Sequence, residues 1–159
     1  MFWLAGCGQL GRETPDPAAV ATTVSIQDLD ITTGQTIYVP AYSEIYYDDD
    51  RTLELAVTLT IHNTDFEHAI VLSSVRYYDT QGHLIHEYLS QPQQLAPLAT
   101  ADFLVSPDEQ SGGIGTNFIV EWVAEEAVYE PIVEAIMIST TGAQGISFTS
   151  SGRVIRQIK

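Results

Sequence analysis

The stretch from Leu53 to Ile61 constrains this chain more than any other. Leu53, Leu55, Val57, Leu59 and Ile61 alternate with Glu54, Ala56, Thr58, Thr60 and then His62. Successive side chains of a strand point to opposite faces, so this run makes one apolar face and one polar face, a half-buried strand. Such a strand needs neighbours beside it and apolar cover over one face before it is stable in water. The rest of the chain supplies both. Residues 36–43, 69–79, 84–89, 101–105, 117–124 and 132–140 are rich in β-branched and aromatic residues, and residues 145–150 lead into Arg153-Val154-Ile155.

Turn chemistry separates these runs. Asp48-Asp49-Asp50 bounds a first hairpin and Asn63-Thr64-Asp65 a second. Asp79-Thr80-Gln81-Gly82 is a tight turn whose glycine accepts φ > 0. Pro92 and Pro97 interrupt the next connection, Gly112-Gly113-Ile114-Gly115 forms the densest glycine loop, and residues 141–145 close the set. A helix over 125–137 competes on propensity, but Pro131 would break it. A strand after Pro131 and at most one helical turn over 125–128 are expected instead. Strands at this spacing predict an all-β antiparallel sandwich or barrel. We expect a sandwich, immunoglobulin-like, over residues 36–159.

Residues 8–35 read as an N-terminal flexible tether. Pro15, Pro17 and the Ala/Thr run 18–23 carry no sustained period. Val24, Ile26, Leu29 and Ile31 are a candidate short edge strand. A flexible tether of this length has an end-to-end distance of ~30 Å. Ahead of it, Leu4-Ala5-Gly6-Cys7 resembles a bacterial lipobox, in which the chain is cut before a cysteine that then receives acyl chains. That resemblance implies residues 1–7 are the remnant of a lipoprotein signal peptide, with lipid attachment at Cys7. Only Met1, Phe2 and Trp3 precede the box, where a leader needs a basic stretch and an apolar one. Export therefore requires a start further upstream; otherwise Cys7 is a lone thiol in a frayed terminus. No other stretch reaches 18 uncharged apolar residues, the length of a spanning helix.

Four ordered motifs carry a second resemblance: Tyr38-Val39-Pro40-Ala41-Tyr42-Ser43-Glu44-Ile45-Tyr46, Val75-Arg76-Tyr77-Tyr78-Asp79-Thr80-Gln81-Gly82, Gly112-Gly113-Ile114-Gly115-Thr116-Asn117-Phe118-Ile119-Val120-Glu121-Trp122 and Gly145-Ile146-Ser147-Phe148-Thr149-Ser150-Ser151-Gly152-Arg153. Together, over residues 35–155, they resemble an uncharacterised bacterial family, largely cyanobacterial, known as a domain of unknown function. It implies no activity. The order of strands and turns also looks like late-embryogenesis-abundant and related extracytoplasmic sandwich domains, an analogy of fold alone.

Charge then narrows the function. The chain has 159 residues, 21 Asp and Glu against 6 Lys and Arg, and a net charge of −15. Nucleic-acid phosphates need the opposite sign, as does a polybasic contact with a membrane. Hydrophobic residues make up 45% of the chain, which excludes wholesale disorder. Residues 35–152 hold 17 acids against only Arg51 and Arg76, while Arg153, Arg156 and Lys159 fall in the last seven residues. The acidity thus belongs to the folded part.

Candidate chemistry is thin. His62 and His68 flank one loop and with Asp65 or Glu67 could hold Zn²⁺, although they match no recognised ligand spacing and solvated loop histidines are the simpler account. His83 and His86 are three apart in a strand and face opposite ways. Asp48, Asp49 and Asp50, with Glu44, offer oxygens for Ca²⁺ but lack the alternation that wraps the ion. Glu121, Glu125, Glu126, Glu130 and Glu134 form a second acidic region in which nothing fixes the carboxylate spacing a glycosidase needs. The glycine loop lacks a Gly-Lys-Ser/Thr ending, so strand-entry geometry explains it better than phosphate binding. No Gly-x-Ser-x-Gly is present. No catalytic residue and no obligatory cofactor is expected.

Adjacent tyrosines remain. In Tyr46-Tyr47 and Tyr77-Tyr78 one ring of each pair goes to the core and one to solvent. Tyr46, Tyr47 and Tyr78 are therefore a candidate surface for a protein or glycan, with cross-strand packing as the alternative. Trp122, with Val120 and Ala124 on its face, is expected in the core. The expected function is a non-enzymatic, lipid-anchored extracytoplasmic domain of the periplasm or cell envelope. It would be attached to the membrane through Cys7 and would bind an envelope protein or glycan. The alternatives are a metal-binding or hydrolytic domain at the His62–His68 loop or the Asp48–Asp50 turn, and a purely structural envelope module.

Overall fold

The structure, a computed structural model, describes residues 21–106, 112–141 and 145–158. Cys7, the lipobox-like residues before it and residues 8–20 of the expected tether lie outside these residues. Within them the chain forms thirteen strands, one 3-10 turn and no α-helix. Every pairing is antiparallel, and no sheet closes into a barrel.

The strands are β1 (Ala21–Thr23), β2 (Thr33–Pro40), β3 (Glu44–Asp48), β4 (Arg51–Glu54), β5 (Ala56–His62), β6 (Ile70–Tyr78), β7 (Leu84–Glu87), β8 (Gln93–Leu95), β9 (Thr100–Val105), β10 (Asn117–Ala124), β11 (Ile132–Ser139), β12 (Ile146–Ser151) and β13 (Arg153–Ile158). The larger sheet runs β1-β8-β6-β10-β2-β13, with β7 on the same flank of β6 as β8. The smaller runs β12-β11-β5-β9, and β3 and β4 form a two-stranded arm.

The alternation that predicts β5 also buries it. Val57, Leu59 and Ile61 are fully buried while Thr58, Thr60 and His62 are half-exposed. Their buried neighbours across β11 are Val133, Ala135 and Met137. The larger sheet contributes Ile37, Val39, Leu72, Val75, Tyr77, Phe118, Val120 and Trp122 to the same core. Trp122 sits there with Val120 and Ala124, as its face of β10 predicts. Burial of side chains this large supplies most of the stabilisation, about 1.5–3 kcal/mol each.

Four features depart from expectation. The period-two run does not form one strand. The chain breaks at Leu55, whose N–H donates to the Ser43 carbonyl (2.8 Å) and closes the arm; residues before the break join the arm and those after it join the sheet. The edge strand expected from Val24, Ile26, Leu29 and Ile31 lies earlier, at β1, and Ile26–Asp28 form a 3-10 turn instead. β1 pairs with β8, Ala21 opposite Leu95, so residues assigned to the tether extend the larger sheet. The Asp48–Asp50 hairpin, the Asp79–Gly82 turn and the strand after Pro131 hold, but Asn63-Thr64-Asp65 bounds no hairpin, because β5 and β6 lie in different sheets. Gly82 and Gly113 take φ of +83° and +80°, and β11 begins at Ile132 without a preceding helix.

The register sorts the connections into two ends. At one end lie the arm, the Asp79–Gly82 turn and the glycine loop, near Pro40, Asn117 and Tyr78. At the other, three connections pass between the sheets: residues 63–69, 96–99 and 125–131. Chain entry at β1 and the end of β13, where Ile158 pairs with Gly34, are at this second end.

Candidate functional site

The second end is organised by two buried polar side chains, Asn63 and Asp65. Asn63 Nδ2 donates to the carbonyls of His68 (2.9 Å), Leu95 (3.2 Å) and Ala96 (3.0 Å), and its Oδ1 accepts from the Asp65 N–H (3.0 Å). Asp65 Oδ1 accepts from the N–H groups of Glu67 (2.9 Å) and His68 (2.8 Å), and Oδ2 from that of Tyr129 (3.1 Å). The Asp65 carbonyl takes the N–H of Leu98 (3.1 Å), and Thr64 Oγ1 donates to the Glu130 carbonyl (2.9 Å). Two adjacent side chains thereby tie together all three connections. Asn and Asp suit the task because short polar side chains reach backbone groups two or three residues on.

Donors converging on one carboxylate favour its charged form. The Glu67 and His68 N–H groups, helped by Tyr129 and the His68 ring, hold the Asp65 carboxyl at a pKa of about 2, against the opposing effect of burial. Asp79, at the other end, is lowered in the same way by the N–H and ring of His83 and the N–H of Gln81.

What this scaffold displays is apolar. Phe66 is 74% exposed and Tyr129 71%, with Leu98 and Ile132 also exposed. Leu98 has a φ of +58°, a left-handed conformation that costs a branched side chain about 1–2 kcal/mol. Strain of this kind concentrates at binding sites. Phe66 and Tyr129 form the shared wall of two depressions. One, of about 490 Å³, lies between residues 65–68 and 127–129. The other, of about 430 Å³, is completed by Thr64, Glu130 and Ile132. Glu130 is anchored from beneath by the buried Gln35, whose Nε2 donates to Glu130 Oε1 (2.5 Å).

The histidines and carboxylates singled out by sequence are not brought together. The His62 ring bonds Thr100 Oγ1 (2.8 Å), whereas His68 Nδ1 faces Asp65 Oδ1 (3.2 Å). Among the described residues no three His, Cys, Asp or Glu side chains are grouped to hold a metal ion. Asp48, Asp49 and Asp50 form the exposed tip of the arm, where Asp48 Oδ1 accepts the Asp49 N–H (2.9 Å).

The tyrosine expectation divides. Tyr77 is buried against Phe118 and Tyr78 is half-exposed, as alternation requires. Tyr46 and Tyr47 are both exposed, 63% and 54%, because β3 pairs only with β4 and lacks the covering sheet that would hide one ring. The Arg51 guanidinium lies 5.0 Å from the Tyr47 ring centre.

Phe66, Leu98, Tyr129 and Ile132 are absent from the sequence-based set. A phenylalanine inside the polar loop Asp65-Phe66-Glu67-His68 was the available signal.

Residues 34–155 match the family described as Protein of unknown function (DUF3124). No curated protein matches the chain. Among solved structures, the crystal structure of Thermotoga maritima 1070 aligns at 11% identity with a TM-score of 0.41, over 75% of this chain and 92% of that one.

Proposed function

The chain belongs to the DUF3124 family of unknown function, and from that premise we propose that it is a non-enzymatic, lipid-tethered extracytoplasmic binding module. In this reading the two sheets form an immunoglobulin-like sandwich, Cys7 carries the lipid, and the cluster around Phe66 and Tyr129 is the contact surface for another envelope component. The observation that carries it is the display of Phe66, Leu98 and Tyr129 on three connections held together by Asn63 and Asp65, with Ile132 exposed beside them at the start of β11. Large exposed apolar groups on rigid loops are the usual anatomy of a recognition surface. Ala21 lies beside Leu95 at the same end as the cluster, so in this reading the chain from a lipid on Cys7 enters the domain at the end that carries the surface.

The test is in-cell photocrosslinking of the full-length protein with its native leader. A benzoylphenylalanine at position 66 or 129 is expected to give a discrete adduct that the same group at Asp102, on the outer face of the smaller sheet, does not. Adducts of equal yield at all three positions, or none at 66 and 129, overturn the reading. Cys7→Ser is expected to release the protein from the membrane fraction, and retention removes the lipid anchor.

A further inference from the structure

We propose that the occupant of the Phe66–Tyr129 surface is an extended cationic protein segment that also carries apolar side chains. This rests on the binding-module reading and names the partner's chemistry.

Charge is the first argument. Asp65 and Glu67 line one depression and Glu130 the other, and among the described residues neither depression is lined by Lys or Arg. The Asp65 carboxylate stays ionised through the neutral range. Glu125 and Glu126 extend the acidic rim on the same connection and are exposed. A cation entering either depression meets an aromatic face and a carboxylate together, which suits an ammonium or guanidinium. The aliphatic stem of Lys or Arg needs apolar surface beneath it, and Ile132 and Val128 supply that on either side.

Shape is the second. Two shallow depressions flanking one ridge match an extended chain better than a compact ligand. Alternate side chains of an extended strand fall on one side, roughly 6.5–7 Å apart. Side chains on that face would enter the depressions while the backbone crosses the ridge. Because Asp65 fixes the backbone of residues 67, 68 and 129 beforehand, little ordering cost remains to be met on binding. An anionic bilayer is disfavoured by the same carboxylates, which favour a basic peptide over a lipid surface.

The test uses the purified full chain and three fluorescein-labelled heptapeptides, with serine at every even position and Lys-Leu, Lys-Ser or Glu-Leu alternating at the odd ones so that both side chains share one face, read by anisotropy. The Lys-Leu peptide is expected to bind at least tenfold more tightly than either other. Phe66→Ser with Tyr129→Ser is expected to weaken it at least tenfold, and Glu67→Gln with Glu130→Gln at least fivefold. Both double variants should keep a melting temperature close to wild type, since Phe66, Tyr129 and Glu67 sit at the surface and Glu130→Gln keeps an amide oxygen to accept from the buried Gln35. Should a double variant unfold, the single substitutions Tyr129→Ser and Glu67→Gln, each weakening the peptide at least threefold, serve the same purpose. Equal binding of Lys-Ser overturns the proposal, because it means only attraction to the acidic body. So does indifference to all the substitutions, or binding of phosphatidylglycerol vesicles without binding of the peptide. If crosslinks at position 66 persist while no peptide binds, the cationic assignment falls and the binding module stands. If neither is seen, both fall.

Discussion

Asp65 sets the behaviour of the second end of the fold through single atoms. Its depressed pKa makes the folded state a better acid than the unfolded one. The stabilisation from its ionised form is therefore complete above the unfolded value near 3.8 and is lost as pH falls through about 2. The unfolding free energy should decline between those limits, and Asp65→Asn should flatten that decline; an acid limb of unchanged slope in the variant would sink the assignment. Asp79 adds to the same limb with the same sign. Leu98 offers an opposite kind of test. Its left-handed backbone is costly for a leucine and free for a glycine, so Leu98→Gly should raise stability by about 0.5–1 kcal/mol, measured as a higher urea midpoint. A lower midpoint would mean the leucine is held by packing. None of this was legible in advance. Sequence picked out His62 and His68 by residue type, but the residue that matters between them is Asp65, and its partners Leu98 and Tyr129 are far away along the chain. Asn63-Thr64-Asp65 was recognised as a turn, but only the fold shows that one of its carboxylate oxygens reaches Tyr129.

At the scale of elements, local patterning was most informative where a strand has one wet face. β5, β10 and β11 bury alternate residues and were legible for that reason. The break at Leu55 was not, because Leu53, Leu55 and Val57 keep the same parity on both sides of it. β1 was hidden because Ala-Thr-Thr has no apolar face to reveal. The passage from β12 to β13 depends on Gly152, where an added Cβ would lie 2.6 Å from Ile37 Cγ2 and 3.0 Å from the Val133 carbonyl. Gly152→Ala should cost about 1–3 kcal/mol, whereas Gly145→Ala, whose nearest atom is 3.6 Å away, should be close to neutral in the same denaturation assay. Equal effects would mean that the corner yields. Beyond it, β13 is an exposed edge with Val154 and Ile155 in solvent. A register shift between Val154 and Arg156 and the two arginines themselves guard that edge, the usual defences against strand addition.

The molecule as a whole carries its acidity on the folded domain, so its carboxylates repel one another in the compact state. Raising sodium chloride from 0.05 to 0.5 M shortens the screening length severalfold and should raise the melting temperature by about 3 °C; a flat or falling profile would show that the charges are already paired. The two ends are also mechanically unequal. A pull on the N-terminus is borne first by β1, whose three residues pair with β8 from Ala21 onward, so its bonds open one after another like a zip. Behind it, residues 24–32 are held to the body by single bonds such as Val24 to Pro92 and Thr32 to Ala124. Under tension those twelve or so residues should pay out first, lengthening the leash by about 40 Å while β2, β6 and β10 stay clamped. In a single-molecule force record this reads as a short, low-force step ahead of the rupture of the domain.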